Sequence, residues 1–180
     1  MTLNKLNNFI SKLNWRQVVI HAIVFWFFMY AFYTLSHLYN TKYIEIIRYS
    51  TEQDAIKTFT DNGTMVDAMI FFSIWTSIAG FVGLLIAFFI SLAVSIKRHW
   101  FWVNSLIAFI IMYLLYRLNV LGWEYMKGLF WFIGKMFNNV ILEFLINGII
   151  LLIVGLLFFF SKKPGKFIEH EQPVPVAENS

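Results

Sequence analysis

The chain has 180 residues, of which 59% are hydrophobic, 20% aromatic and only 13% charged, with 21 Phe, 8 Tyr and 7 Trp. A soluble domain carries about 25% charged residues, so this composition excludes an ordinary water-facing surface, and the apolar residues are gathered into unbroken runs whose natural solvent is lipid. The absence of cysteine excludes disulfides, thiolate nucleophiles and cysteine-held metals. The formal charge of +4 resides in short Lys/Arg clusters beside the apolar runs, an orientation signal rather than a nucleic-acid face.

Four runs approach the roughly 20 residues a helix needs to cross about 30 Å of hydrocarbon. The first is Val18 to Leu38. No small-residue cleavage site follows it, since Ala31 is succeeded by Phe32 and Tyr33, so it reads as a retained anchor. It carries His21 and His37, which at 1.5 Å per residue stand about 24 Å apart and cannot share one metal or haem; His99, in a turn, offers neither a matching depth. Interfacial hydrogen bonding is the expected role of both, and no cofactor or metal is expected.

The connection Tyr39 to Gly63 has two readings that the sequence leaves open. Thr51 and Asp54 have the spacing of a capping box opening a short helix through Phe59, whereas Tyr39, Tyr43, Ile46 and Ile47 would let the first helix continue outward. Asp61-Asn62-Gly63 is a turn signal.

The second run is Asp67 to Ile96. Asp67 lies three residues after Thr64, a capping spacing that places an acid at the positive helix end. Ser73, Thr76, Gly80, Gly83, Ala87, Ser91 and Ser95 recur every three or four residues and share one helix face. Small residues on one face allow close backbone approach, the main route to helix association in lipid. The second span is therefore expected to be the central packing element, and a narrow polar-lined path along the same face is the alternative.

Lys97 and Arg98 occupy the turn to the third run, Phe101 to Val120, in which Asn104 could supply an interhelical hydrogen bond and Arg117 marks the far end. Between Gly122 and Phe137, Glu124, Lys127, Gly128, Trp131 and Lys135 form one stripe in otherwise apolar sequence, predicting a short amphipathic helix lying in the interface before the last span. A third span that simply continues outward is the competing reading.

The fourth run, Val140 to Phe160, is the most apolar. Asn139, Glu143 and Asn147 enter it at every fourth position. Glu143 and Arg117 lie at comparable depth and are expected to form an intramembrane polar pair, the alternatives being an interface-exposed carboxylate or a proton or cation site. Pro164, Pro173 and Pro175 fall in the last seventeen residues, so 164–180 reads as a disordered cytoplasmic tail following a single transmembrane domain over 1–163.

Lys5, Lys12 and Arg16, the Lys97-Arg98 turn, and Lys162, Lys163 and Lys166 fall on one side of a four-span arrangement, which the positive-inside rule makes cytoplasmic, with both termini there. Trp15, Trp100 and Trp102 suit an aromatic belt at that face. Abundant Phe, Ile, Asn and Lys suit an AT-rich bacterial genome and hence a bacterial inner membrane.

The fold expected is thus an all-α integral membrane protein of four transmembrane helices. Neither H-E-x-x-H nor G-x-S-x-G nor a phosphate-binding glycine loop occurs. A non-enzymatic accessory, scaffold or assembly role is expected, with the bilayer and another membrane protein or a second copy as partners and no nucleic acid. A small transporter or channel subunit using a path near Glu143 and Arg117 is the alternative.

Overall fold

The computed structural model describes residues 10–40, 65–118 and 136–169, with the isolated positions 53, 57, 120 and 133; at 40, 65–69 and 169 the backbone alone is described. Helix α1 spans Trp15–Ser36 and passes into a 3-10 turn at His37–Asn40. Asn14 opens it as N-cap, its side-chain oxygen accepting the Gln17 N–H at 3.0 Å. From Val24 to Ala31 every residue except Trp26 is buried. Eight consecutive residues cover more than two helical turns, so α1 is enclosed around its circumference.

Helix α2 spans Met65–Lys97, α3 Val103–Arg117, α4 Val140–Phe160 and α5 Lys162–Glu169. The helices α2, α3 and α4 all pack on α1, and α2 also meets α3. This corrects the expectation that the second span is central. α2 does present its small face inward, but α1 is the hub, because its own bulky residues fill the grooves that the small residues of its neighbours leave.

Those grooves are specific. At Gly83 an added Cβ would fall 2.6 Å from the Phe28 carbonyl oxygen and 2.9 Å from the Phe32 Cβ. On α4, the buried residues Val140, Glu143, Phe144, Asn147, Gly148, Leu151, Gly155 and Phe159 form one stripe at helical spacing. Gly148 fits over Leu35 and Gly155 over the Phe28 ring. The opposite face of α4 exposes Ile141, Ile149, Ile153, Leu157 and Phe160, and α2 exposes Ile70, Ile74, Ile78 and Phe89, as expected of surfaces solvated by acyl chains.

The α2–α3 turn is a Schellman closure: Trp100 N–H donates to Ser95 O at 2.8 Å and His99 N–H to Ile96 O at 3.2 Å. His99 takes the left-handed position at φ 55°, where glycine is the usual occupant. Trp100 then folds back to pack with Val94 and Ile168 and so is buried rather than part of an exposed belt, whereas Trp15 and Trp102 are exposed. On α3, Asn104, Ser105, Ala108 and Met112 are buried on one face.

α5 overlaps the stretch expected to be a disordered tail. Residues 164–169 are instead helical, with Pro164 in the first turn, where its missing N–H costs nothing, and Ile168 only 1% exposed beneath α1. Residues 170–180, the 122–135 amphipathic segment apart from 133, the 41–64 connection apart from 53 and 57, and the side chain of Asp67 lie outside the described residues.

The described residues form an all-helical molecule in which α1, α2 and α4 are long and apolar enough to cross a membrane; α3, at 15 residues, is shorter. These features agree with a helical, multi-pass membrane protein.

Candidate functional site

Where α1 begins, α2 ends and α3 begins, seven polar residues are buried together: Asn14, Gln17, His21, Ser91, Ser95, Asn104 and Ser105. The amide groups interlock. Asn104 Oδ1 accepts the Asn14 backbone N–H at 3.2 Å, while Asn104 Nδ2 donates to Gln17 Oε1 at 2.8 Å. Gln17 Nε2 donates to Ser95 Oγ at 3.1 Å, and Asn14 Nδ2 donates to the Ile168 carbonyl of α5 at 2.9 Å.

Deeper, Ser95 and Ser105 share a hydrogen bond of 3.0 Å, and two hydroxyls converge on His21 Nδ1, Ser91 at 2.7 Å and Ser105 at 3.1 Å. His21 Nε2 is buried without a partner. A proton on Nδ1 leaves Nε2 as a bare lone pair, a less costly orphan than an N–H lacking an acceptor, so the Nδ1–H tautomer donating to Ser91 Oγ is the assignment we adopt. The ring is walled by Phe159, edge-on at 5.6 Å between centroids, and by Trp100 at 6.1 Å. The role expected of His21 is revised in one respect: it does hydrogen-bond, but buried among helices and not at an interface.

Beside this cluster opens a cavity of about 480 Å³ lined by Lys12, Asn14, Gln17, His99, Trp100, Trp102 and Asn104 among others. Cations frame the same end. The Arg98 guanidinium stacks over Trp100 at 4.9 Å and Arg16 over Phe167 at 4.8 Å, with Arg16 Nη1 also donating to the Phe167 carbonyl at 3.4 Å.

At the opposite end, the His37 ring stacks on Phe144 at 4.7 Å with 9° between planes and meets Phe72 edge-on at 5.1 Å. Its Nδ1–H donates to the Tyr33 carbonyl at 2.8 Å. A second cavity, about 470 Å³, lies between α2 and α3 and is lined by Ser77, Ile78, Phe81, Tyr113, Tyr116 and Arg117. The Tyr116 hydroxyl donates to the Ser77 carbonyl at 2.9 Å.

Of the residues singled out on the second span, Thr76, Gly80, Gly83, Ala87, Ser91 and Ser95 are buried and Ser73 is exposed. Ser91 and Ser95 join the polar cluster, whereas the Thr76 hydroxyl turns back onto its own helix at the Phe72 and Ser73 carbonyls. Asn139 is the α4 N-cap, accepting the Leu142 N–H at 3.1 Å. Glu143 is buried, 2% exposed, on the stripe that faces α1, but Arg117 is exposed on the α2–α3 groove, and α3 and α4 make no substantial contact among the described residues.

Asn14, Gln17 and Ser105 are cluster members that sequence reasoning passed over. A signal existed: Asn14, Gln17 and His21 fall at i, i+3 and i+7 on α1, one polar stripe entering an apolar run. Among the described residues no group of three His, Cys, Asp or Glu could hold a metal ion. No family model matches the chain, and no curated protein or solved structure is significantly similar to it.

Proposed function

We propose that the chain is a four-span membrane scaffold or assembly protein with both ends of the bundle's chain on the cytoplasmic face, its buried polar groups locking helices in register. Parity supports the span count. Asn14, at the start of α1, donates to the Ile168 carbonyl just past α4, so these points share one end of the bundle. Three crossings by α1, α2 and α4 alone would leave them on opposite faces, whereas a fourth crossing that includes α3 reconciles the contact with the lengths of the other three.

The observation that carries the scaffold reading is the layer between the two end cavities. Phe25, Phe28, Met29, Leu84, Ala87, Ala108, Met112 and Leu151 form a continuous apolar core there. A conducting path needs polar groups or water through that depth. The Ser91–His21 pair has the spacing of an activated hydroxyl, but both residues are buried and the crevice beside His21 is too tight for water. Interhelical hydrogen bonds of this kind fix which faces meet, a structural use of buried polarity.

The test is mild solubilisation of the full chain followed by identification of stoichiometric companions, with the same preparation reconstituted in liposomes. A fixed-ratio protein partner or defined homo-oligomer with no solute flux is expected. Saturable solute movement through the purified protein would overturn the scaffold reading in favour of transport.

A further inference from the structure

The helix α5 has 8 residues, too few for a helix to persist alone in water, so it depends on what it docks against. Ile168, 1% exposed, fills a pocket formed with Val94 and Trp100. The last carbonyls of a helix have no partner within it, and the start of α1 serves two of them. Asn14 Nδ2 donates to the Ile168 carbonyl at 2.9 Å and Arg16 Nη1 to the Phe167 carbonyl at 3.4 Å. Arg16 also stacks on the Phe167 ring, and Arg98 Nη1 lies 2.6 Å from where a Cβ on Gly165 would stand. The outward side carries Lys162, Lys163 and Lys166, all exposed. Docking thus rests on one apolar plug with polar contacts at its rim.

Ser161 joins α5 to α4. It is a single extended residue between two helices, at φ −63° and ψ 142°, with its N–H donating to the Leu157 carbonyl and its Oγ accepting the Lys163 N–H. Rotation at such a residue moves one helix without disturbing the other, which is how hinges are built.

What α5 covers is His21. The crevice that His21 lines has Pro164, Gly165 and Ile168 on its α5 side, with Trp100 and Phe159 beside the ring, and it is too tight for water. His21 Nδ1 is turned to Ser91 and Ser105, so Nε2, across the ring, faces away from α2 and α3. It is buried with no hydrogen-bond partner. A buried polar atom left unmatched carries a desolvation cost that water removes. Burial of Ile168 therefore favours the docked position of α5, while the unmatched Nε2 opposes it.

We propose that α5 is a lid hinged at Ser161, which opens while the bundle stays folded and so controls the access of water and small polar molecules to the His21 imidazole. Short, lightly anchored elements open locally at a smaller free-energy cost than the core they rest on. The lid does not depend on the scaffold reading, since it concerns access to one buried group and not what the bundle assembles.

The experiment treats the full-length protein in nanodiscs with diethyl pyrocarbonate, which acylates accessible neutral imidazole, and scores each histidine separately by peptide mass spectrometry. Exposed His99 sets the rate of free access, and His37, buried at the other end of the bundle, serves as the control. Amide hydrogen exchange over α5 is followed in parallel. Two variants are compared, Ile168→Ser, which removes the plug, and Met112→Ala, which loosens the apolar core along α3; thermal unfolding establishes that each is folded. In the unaltered protein His21 should react more slowly than His99, at a rate that Met112→Ala leaves unchanged. Ile168→Ser should speed His21 and the α5 amides alike, by about tenfold, and leave His37 as it was. Acceleration of His21 by Met112→Ala would mean that it is reached only when the whole bundle loosens. Faster α5 amides in Ile168→Ser with His21 unchanged would mean that α5 does not cover it. Either result overturns the proposal, and the first is read without any change to α5.

Discussion

Asn104 reaches α1 with both ends of its amide, its Oδ1 accepting the Asn14 backbone N–H at 3.2 Å and its Nδ2 donating to Gln17 Oε1 at 2.8 Å. One side chain of α3 thus satisfies a donor and an acceptor in the first turn of α1, where a helix has orphan N–H groups to settle. Truncation removes both bonds at once and leaves their partners buried. Asn104→Ala is expected to lower stability in detergent by about 1–3 kcal/mol. In a cycle with Gln17→Ala the coupling should be about 0.6–1.7 kcal/mol, read from thermal or denaturant unfolding. A coupling of zero would mean that the amides do not meet.

Two glycines on the same face of α2 make opposite predictions. At Gly83 a methyl group would collide with the backbone of α1, the Phe28 oxygen, which cannot swing aside. At Gly80 the nearest atoms, Met29 Cγ and the Tyr116 hydroxyl, lie at an ordinary 3.7 Å. Gly83→Ala should cost about 1–3 kcal/mol through separation of the helices, and Gly83→Leu more. Gly80→Ala should be neutral or gain up to about 1 kcal/mol from helix propensity. The readout is unfolding temperature, and equal behaviour of the two alanine variants would contradict the interface described.

Arg117 and Glu143 share a depth in the sequence but occupy different faces, one exposed on the α2–α3 groove and the other buried on the α4 stripe. Residues that sit in different helix interfaces add in their effects, within about 0.3–0.5 kcal/mol. Glu143→Gln, Arg117→Gln and the double variant should therefore be additive in unfolding free energy. Rescue of one by the other would restore the ion pair that the sequence suggests.

The helices were legible because their apolar runs are long and uninterrupted; the starts and ends of α2 and α4 lie within a few residues of the sequence reading. The hub was not legible. Small residues on the second span announce a close approach but do not say which helix approaches, and α1, with Phe25, Phe27, Phe28 and Met29 consecutive or nearly so, has no single apolar stripe to read. The polar cluster was half legible: Ser91, Ser95, Asn104 and His21 each stood out in its own helix, but their convergence follows from antiparallel packing that brings positions 17, 95 and 104 to one depth. Depth matching likewise suggests Arg117 with Glu143, but depth does not say which faces meet: Arg117 lies on the α2–α3 groove and Glu143 on the buried stripe of α4. The helix α5 was hidden by its composition, since Lys162, Lys163, Pro164 and Gly165 resemble a tail until Ile168 finds the pocket beside Val94 and Trp100.

The number of crossings can be tested without a partner or substrate, because the chain contains no cysteine and single cysteines can be introduced into an otherwise blank background. Lys12 and Lys163 are exposed and lie on either side of the Asn14–Ile168 hydrogen bond, at one end of the bundle; Tyr39 is exposed at the other end, against Trp75. Lys12→Cys and Lys163→Cys should react with a membrane-impermeant maleimide from the same side of sealed vesicles, and Tyr39→Cys from the opposite side. Right-side-out and inverted vesicles should exchange the two patterns. Labelling of Lys12→Cys and Lys163→Cys from different sides would require an odd number of crossings, and that is incompatible with the contact between the start of α1 and the residues following α4.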